Sequence, residues 1–368
     1  MIDTIIISIP KTLVLERGHN SARAWEDWDQ KSSNKMGAWK TFIWNSYAPI
    51  SGDYYPVVNG YFRARHGNSP AANIVKVQFS APKVLFGQNL DEVSDADFEE
   101  LVSVLARTLH SMGLSVSPET LREARVVNCH YSKNILLPHG ITVGQTLRQL
   151  ECAGVTRRLS KTRVEYINDG EGLNYVCDEH SVSLYDKLSE MMDAGHTEMV
   201  RTIGSSQKVL RFEVRLTTVE QIKFLLKKLN LTSPTQEITL QTVFSRAIST
   251  AVLNHRWDEL FMRDETVVGT EPIAPMQLFE AVLSVLPRRS AIKAIQYVGW
   301  DALRRDVGGL GQLNSILKDS FRKGVWYAHK RKWRKIDCLV TAWEPSAWFQ
   351  EATKQIRQNN PLRMITTR

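Results

Sequence analysis

Two short segments near the middle of the chain, 181–190 and 210–216, combine side chains that suit phosphodiester chemistry. They supply a tyrosine hydroxyl, cations and carboxylates, carried by Tyr185, Lys187, Glu190, Arg211, Glu213 and Arg215. A phenol with a pKa near ~10 is a poor nucleophile at neutral pH, so a nearby cation or metal ion must stabilise the phenolate. Lys187 follows Tyr185 by two residues and is one candidate for that cation.

Both segments alternate as β-strands do, with successive side chains on opposite faces. In the second segment the apolar face consists of Leu210, Phe212, Val214 and Leu216. The opposite face carries Arg211, Glu213 and Arg215. On pattern alone this face is also compatible with a surface ladder of ion pairs, and Tyr185 with ordinary packing.

A third predicted strand, within 125–134, places Asn128 and His130 on one face. Together with Glu190 and Glu213, these two side chains are the candidate ligands of a divalent cation. A site rich in oxygen ligands would suit Mg²⁺ or Mn²⁺.

The composition is that of a globular protein with a basic surface. The 368 residues are 43% hydrophobic and 23% charged, with a formal net charge of +8, which favours a polyanionic partner. No apolar run approaches the roughly 20 residues that span a bilayer, so no membrane partner is expected. Four widely spaced cysteines show neither a zinc pattern nor a disulfide framework, which favours a reducing cytoplasm.

The positive charge is concentrated in residues 318–335, where eight Lys or Arg face a single acid. Tryptophan and tyrosine are interleaved with these cations, a composition typical of nucleic-acid surfaces. The candidate DNA-binding residues in this run are Lys330, Arg331, Lys332 and Trp333. A solvated amphipathic helix with its tryptophans in the core explains the run equally well.

The order of predicted elements indicates an α+β fold. Strands are predicted at 4–9, 74–79 and 125–131, and helices at 95–112 and 188–203. After residue 216 the periodicity becomes mostly helical. Two domains are therefore predicted, an antiparallel-sheet domain over residues 1–225 and a helical domain over 226–368. Within the latter, 288–299 and 300–305 form two short helical patterns, typical of a plain helical hairpin and also compatible with a helix-turn-helix.

Four stretches, in order, resemble the replication initiation proteins of filamentous bacteriophages, the gene II family of rolling-circle initiators. Residues 1–10 resemble its opening strand, and 80–90 resemble a signature with Pro, Lys, Leu, Gly and Asn in that order. Residues 184–190 resemble its Tyr-x-Lys-x-x-Glu motif, and 210–216 its Arg-Phe-Glu-x-Arg motif. The resemblance covers about residues 1–230.

The resemblance implies a nuclease that cuts one strand of a double-stranded phage origin and later rejoins the displaced single strand. A tyrosine would hold the 5′ end as a phosphotyrosine, and the free 3′ hydroxyl would prime synthesis. Tyr185 falls on the motif tyrosine, and Glu190 and Glu213 become metal-ligand candidates for Mg²⁺ or Mn²⁺. The implied partners are origin DNA, single-stranded DNA and the helicase and polymerase of a bacterial host, in whose cytoplasm the protein would act.

The chain departs from the family pattern at two places. Relatives carry an aspartate in the strand before these motifs, whereas Asn128 stands here with His130 two positions on. Related initiators also carry an aromatic residue about a dozen positions before the motif tyrosine, and its nearest counterpart is Tyr175, the second candidate nucleophile. A DNA-binding protein without catalysis, or a nuclease that uses water as nucleophile, are the competing hypotheses.

Overall fold

The computed structural model describes most of the first 262 residues and parts of the remainder. The described residues are 1–16, 40–43, 54–63, 72–152, 163–167, 172–176, 180–204, 207–233, 235–262, 275–286, 289–306, 313, 332–333, 336 and 347–365. None of the helices within these ranges has the length and apolar character needed to cross a membrane.

The centre of the fold is a β-sheet. The described strands are β1 (Ile2–Pro10), β2 (Leu15–Glu16), β3 (Lys40–Ile43), β4 (Val57–Arg63), β5 (Ala72–Ser80), β6 (Leu114–Ser115), β7 (Arg125–Leu136), β8 (Arg163–Ile167), β9 (Gly172–Val176), β10 (His180–Asp186) and β11 (Val209–Leu216). Strands β2 and β6 form a small sheet of their own, and the other nine form the large sheet. The large sheet has the order β3-β4-β5-β1-β7-β11-β10-β9-β8. Every neighbouring pair is antiparallel.

Helices complete the α+β fold. They are α1 (Ala81–Phe86), α2 (Phe98–Ser111), α3 (Pro118–Glu123), α4 (Val143–Cys152), α5 (Lys187–Asp193), α6 (Thr197–Gly204), α7 (Val219–Lys228), α8 (Leu240–Val243), α9 (Arg246–Trp257), α10 (Pro275–Val285), α11 (Ala291–Asp306) and α12 (Ala347–Gln358). The predicted fold class is confirmed: an antiparallel sheet is followed by a mostly helical part.

The two faces of the sheet differ because the strands alternate. The apolar side chains of β1, β5, β7, β10 and β11 join those of α2, α4, α7 and α9 in one large core. The predicted apolar face of β11 belongs to it, since Phe212 and Val214 are fully buried. The other face carries polar side chains, and we call it the polar face.

The hydrophobic core does not stop at the predicted boundary between residues 225 and 226. Trp257 of α9 lies 5.3 Å, centroid to centroid, from Phe212 of the sheet and from Phe349 of α12. The helices that follow the sheet therefore cover its apolar face and share its core. A separate small cluster is formed by α10 and α11 with Trp333 and Ile336.

Two predicted helical patterns were wrong in detail. The two short helical patterns predicted to join at Gly299 are one continuous helix, Ala291–Asp306, so this segment is neither a helix-turn-helix nor a helical hairpin. The predicted helix over residues 188–203 is instead two helices, α5 and α6. They are separated at Gly195, whose φ of 90° lies in the left-handed region that favours glycine.

Candidate active site

A buried arginine connects all four of the family-like stretches on the polar face. Arg211 on β11 is only 1% exposed. Its Nη2 lies 2.7 Å from Asp3 Oδ2 on β1, and its Nη1 donates to the Asn89 carbonyl at 2.9 Å. Arg211 also lies opposite Tyr185 in the register of β10 and β11. The stretches that contain Asp3, Asn89, Tyr185 and Arg211 therefore meet at one place.

Asp3 reaches this place because β1 is irregular. Its pairing with β7 shifts by one residue between Ile2 and Ile5, as in a β-bulge. Ile2 and Ile5 both join the core, while the Asp3 carboxylate contacts Arg211 and accepts from Ser80 Oγ at 2.9 Å. The bulge thus turns the Asp3 carboxylate towards the polar face, although most side chains of β1 are apolar.

The loop after helix α1 packs on the polar face beside Arg211. Gly87, which follows the last residue of the helix, adopts a φ of 70° that suits glycine. The Asn89 side chain then accepts from Lys187 Nζ at 2.7 Å, and the Leu90 carbonyl accepts from Asn134 Nδ2 at 2.7 Å. Gly87 and Asn89, the glycine and asparagine of the family-like stretch 80–90, therefore hold the loop against the sheet. We call Asp3, Asn89, Asn134, Lys187 and Arg211 the inner cluster.

Tyr185 lies beside the inner cluster and faces Glu213. Its hydroxyl donates to Glu213 Oε2 at 3.0 Å, and its side chain is 8% exposed. Burial, and the neighbouring Glu213 carboxylate, raise the pKa of Tyr185 well above its usual range. In the resting protein Tyr185 is therefore a neutral phenol.

Glu213 is surrounded by donors. His130 Nδ1 lies 3.0 Å from its Oε1, and Arg215 Nε donates to the same oxygen at 2.9 Å. Burial acts to raise the pKa of Glu213, but His130, Arg215 and Arg211 outweigh it and hold that pKa well below its usual range. Glu213 is consequently a charged carboxylate that orients its neighbours.

Exposure rises from Tyr185 towards the far side of Glu213. The His130 side chain is 18% exposed and the Arg215 side chain 36% exposed. Asn128 follows on the same strand, and its Oδ1 is buried without a hydrogen-bond partner in the described structure. We call Asn128, His130, Tyr185, Glu213 and Arg215 the outer cluster. It forms the accessible side of the site around Tyr185.

Lys187 occupies a different position from the one predicted, whereas Glu190 lies just past the strand in the first turn of helix α5. The strand ends at Asp186, whose side chain caps helix α5 by accepting from the amides of Leu188 and Ser189. Lys187 begins this helix, is fully buried and pairs with Glu190. Burial lowers the pKa of Lys187 to about 8. Its ammonium thus neutralises Glu190. The cation that partly opposes the rise in the pKa of Tyr185 is Arg211.

Tyr175 does not share a face with Tyr185. It pairs with Val182 on β10, and both residues belong to the hydrophobic core. Tyr185 pairs instead with Gly172, and Ser183 Oγ donates to Asn174 Oδ1 at 2.9 Å on the polar face. The placement of Tyr175, 2% exposed in the core, does not support a role as nucleophile.

The predicted DNA-binding residues are distributed unevenly. Arg215 is on the accessible polar face, whereas the burial of Arg211 does not support direct contact with DNA. Trp333 is packed in the small helical cluster, 5.8 Å from Tyr297 and 6.2 Å from Trp300. Lys332 lies over its ring at 4.5 Å, so the indole is a core group here. Lys330 and Arg331 lie outside the described residues.

The donors around His130 offer a limited set of ligands for a divalent cation. Among the described residues, no three His, Cys, Asp or Glu side chains converge on a metal-sized space. Glu213 and Glu190 are engaged by cations, so neither fits the predicted role of metal ligand. His130 fits it better, since its Nδ1 faces Glu213 and no described group bonds its Nε2. An imidazole held by a carboxylate in this way is typical of metal sites.

Sequence reasoning missed several members of the site. Asp3, Asn89 and Asn134 were not among the candidates, although all three contact Arg211 or Lys187. A signal did exist for two of them, because Asp3 and Asn89 lie in the stretches 1–10 and 80–90 that resemble family motifs. Nothing in the pattern around Asn134 indicated that it would lie opposite Arg211.

The comparisons with known proteins agree with this convergence of motifs. No curated protein matches the chain, and no solved structure matches it. A family model described as the N-terminal part of the phage replication-associated protein, the gene II protein, matches residues 1–236. That range is well over half of the chain and contains the whole sheet, the inner cluster and the outer cluster. The chain therefore belongs to the gene II protein family of phage replication initiators.

Proposed function

We propose that this protein starts rolling-circle replication by nicking a phage origin with Tyr185 and later rejoins the displaced strand. The single observation that carries the proposal is the Tyr185 hydroxyl, hydrogen-bonded to Glu213 at 3.0 Å where the four family-like stretches meet. Family membership supports the role in replication. The partners would be double-stranded origin DNA, single-stranded DNA, and the helicase and polymerase of the bacterial host, in its cytoplasm.

The proposed step is a transesterification. The Tyr185 oxygen attacks the phosphorus, the bond between phosphorus and the 3′ oxygen breaks, and the 5′ end remains as a phosphotyrosine. Glu213 Oε2, which already accepts the phenol hydrogen bond, takes the phenol proton. The leaving 3′ oxygen takes one proton from a solvent water, and Glu213 returns its proton to the resulting hydroxide, so the net change is one proton moved from the phenol to the 3′ hydroxyl. The number of phosphoester bonds is unchanged, so the reverse attack by a 3′ hydroxyl rejoins the strand without ATP.

The substrate itself would activate Glu213. The carboxylate is a weak base at rest because His130, Arg215 and Arg211 hold its pKa low. Arg215 is the most exposed of these three partners, and an arginine binds phosphate strongly in a bidentate manner. A phosphate that draws Arg215 away raises the basicity of Glu213 as the DNA arrives.

Asn128 and His130 would hold a divalent cation, Mg²⁺ or Mn²⁺. The unpartnered Asn128 Oδ1 and the free His130 Nε2 are the donors, and phosphate oxygens and water would complete the shell, as Mg²⁺ usually requires. Bound there, the ion would polarise the scissile phosphate and neutralise developing charge. Glu213 would act on it only indirectly, by orienting the imidazole.

The test uses a supercoiled plasmid that carries the origin region of the phage encoding this protein. We expect Tyr185→Phe to abolish both open-circle formation and the covalent protein–DNA adduct, with DNA binding close to that of the wild type. Tyr175→Phe is the matched control and should retain both. An adduct formed by Tyr185→Phe at the wild-type rate would contradict the proposal.

A DNA-binding protein without catalysis is the second candidate. Tyr185 favours it as a buried, neutral phenol, and the family resemblance favours it because it matches Asn128 with an aspartate of the relatives. This candidate predicts strongly salt-dependent DNA binding with no open circles from the wild type in either Mg²⁺ or Mn²⁺. Open circles without an adduct would indicate instead that water is the nucleophile.

A further inference from the structure

The polar face contains a cavity beside the outer cluster, and apart from Asn128 the proposed reaction uses none of its lining residues. Its volume is about 180 Å³, and it lies over β4, β5, β1 and β7. The polar side chains that line it are Asn59, Tyr61, Lys76, Gln78, Asn128 and Thr217. A space of this size is larger than a single water or ion needs, so it has room for part of a larger ligand.

Two of the lining side chains, Asn59 and Gln78, make no side-chain hydrogen bond to any residue that the structure describes. A carboxamide offers both donors and an acceptor, and paired amides are well suited to the edges of nucleobases. Two carboxamides on one cavity wall therefore suit the recognition of a base.

The cavity also carries one positive charge. Lys76 Nζ lies 4.6 Å from the centroid of the Tyr61 ring, and no acidic side chain lines the cavity. An ammonium beside amides fits a ligand with a phosphate and a polar base. A nucleotide unit of a DNA strand has both groups.

The position of the cavity relates it to Tyr185. Asn128 lines the cavity and lies two residues from His130 on β7, on the same face. His130 contacts Glu213, which accepts from Tyr185. A continuous row of side chains on the polar face thus leads from the cavity to the candidate nucleophile.

We propose that this cavity binds one unpaired nucleotide of the substrate strand, next to the phosphate that Tyr185 attacks. Asn59 and Gln78 read the base, and Lys76 binds a flanking phosphate. The inference rests on the proposed function for its substrate, and it adds a determinant of sequence preference. Tyr185 then attacks a phosphate only where the neighbouring nucleotide carries a base that fits the cavity.

The test is binding of the full-length protein to short fluorescein-labelled dA, dC and dT oligonucleotides, measured by anisotropy at several salt concentrations. The wild type is expected to discriminate among the three. The double variant Asn59→Ala/Gln78→Ala should lose about 5-fold or more of that discrimination and keep the salt dependence. Lys76→Ala should weaken binding to all three and lower the logarithmic salt slope by about 0.7.

Lys227→Ala is the matched control, because Lys227 is exposed on a helix that packs against the apolar face. It should bind as the wild type does, and all variants should unfold at the wild-type temperature. The inference would be overturned by a wild type that shows no base preference. It would also be overturned by a double variant that retains its preference, or that loses affinity equally for all three oligonucleotides. Loss of the covalent adduct at Tyr185 is a separate readout, and its failure would count against the proposed function alone.

Discussion

The inner and outer clusters use the same kinds of side chain but differ in how fully those side chains are paired. In the inner cluster, the charged groups of Arg211 and Lys187 are buried, and each has partners from other segments. In the outer cluster, Asn128 Oδ1 has no partner in the described structure and Arg215 reaches solvent. Both clusters meet at Tyr185 and Glu213.

This difference indicates that the inner cluster stabilises the fold and that the outer cluster contacts the substrate. A buried charge that loses its partner is strongly destabilising, so the inner cluster fixes the strands and the loop around Tyr185. Arg215 is partly exposed, and Glu213 keeps His130 and Tyr185 as partners when Arg215 moves, so the outer cluster can exchange this contact for one with a substrate. Substitutions should therefore affect folding in the inner cluster and activity in the outer cluster.

Arg211→Met should have the largest effect on stability. It removes the partner of the buried Asp3 carboxylate and should lower the free energy of unfolding by about 3–5 kcal/mol. Urea unfolding followed by circular dichroism measures this loss. A loss below about 1 kcal/mol would mean that the inner cluster does not hold the sheet in the way its contacts suggest.

Lys187→Met should have an effect that depends on pH. The folded pKa is lowered to about 8, against about 10.4 in the unfolded chain. Between these values the unfolded chain retains the proton that the folded chain has released, so the wild type gains about 1.4 kcal/mol per pH unit as pH rises.

The variant lacks this gain. Its stability relative to the wild type should therefore be roughly 2–3 kcal/mol lower at pH 10 than at pH 7. Parallel urea titrations at the two pH values measure the difference. The same relative stability at both would show that Lys187 is not a buried cation with a depressed pKa.

His130→Ala should affect activity far more than folding. Losing the imidazole should raise the Mg²⁺ or Mn²⁺ concentration for half-maximal nicking by about 10- to 100-fold. The unfolding temperature should change little, because the ring lies in the accessible outer cluster. Asn128→Asp is the complementary variant and should lower the metal requirement, since it supplies a carboxylate. An unchanged metal requirement in both variants would remove these residues from the metal site.

Arg215→Gln should have the smallest effect on stability, below about 1 kcal/mol. Its effect should appear in DNA binding, as a logarithmic salt slope lower by about 0.7 for single-stranded DNA. Fluorescence anisotropy at several salt concentrations measures the slope. A loss of stability as large as that of Arg211→Met would erase the distinction between the two clusters.

The sequence was sufficient to predict the local part of this arrangement. Alternation along 210–216 predicted an apolar and a charged face, and Asn128 and His130 were correctly assigned to one face of their strand. These patterns depend only on the period of a β-strand. The predicted helix over 95–112 was also largely correct, and its capping Ser94 pairs with Asp97.

The parts that could not be predicted depend on contacts between distant segments. The burial of Arg211 follows from Asp3 and Asn89, which reach it through a β-bulge and a docked loop. The placement of Tyr175 in the core follows from the register of β9 with β10, which alternation within β10 cannot reveal. Lys187 was expected to belong to the strand, but the strand ends at Asp186. The Asp186 side chain caps a helix whose first residue is Lys187.

The most direct test of the central claim is to identify the residue that carries DNA after cleavage. The wild-type protein would be incubated with its origin plasmid and Mg²⁺, and the adduct digested with nuclease and protease for mass spectrometry. The account predicts a nucleotide-modified peptide in which Tyr185 carries the phosphate. A modified peptide that contains Tyr175, Tyr61 or any residue other than Tyr185 would contradict it.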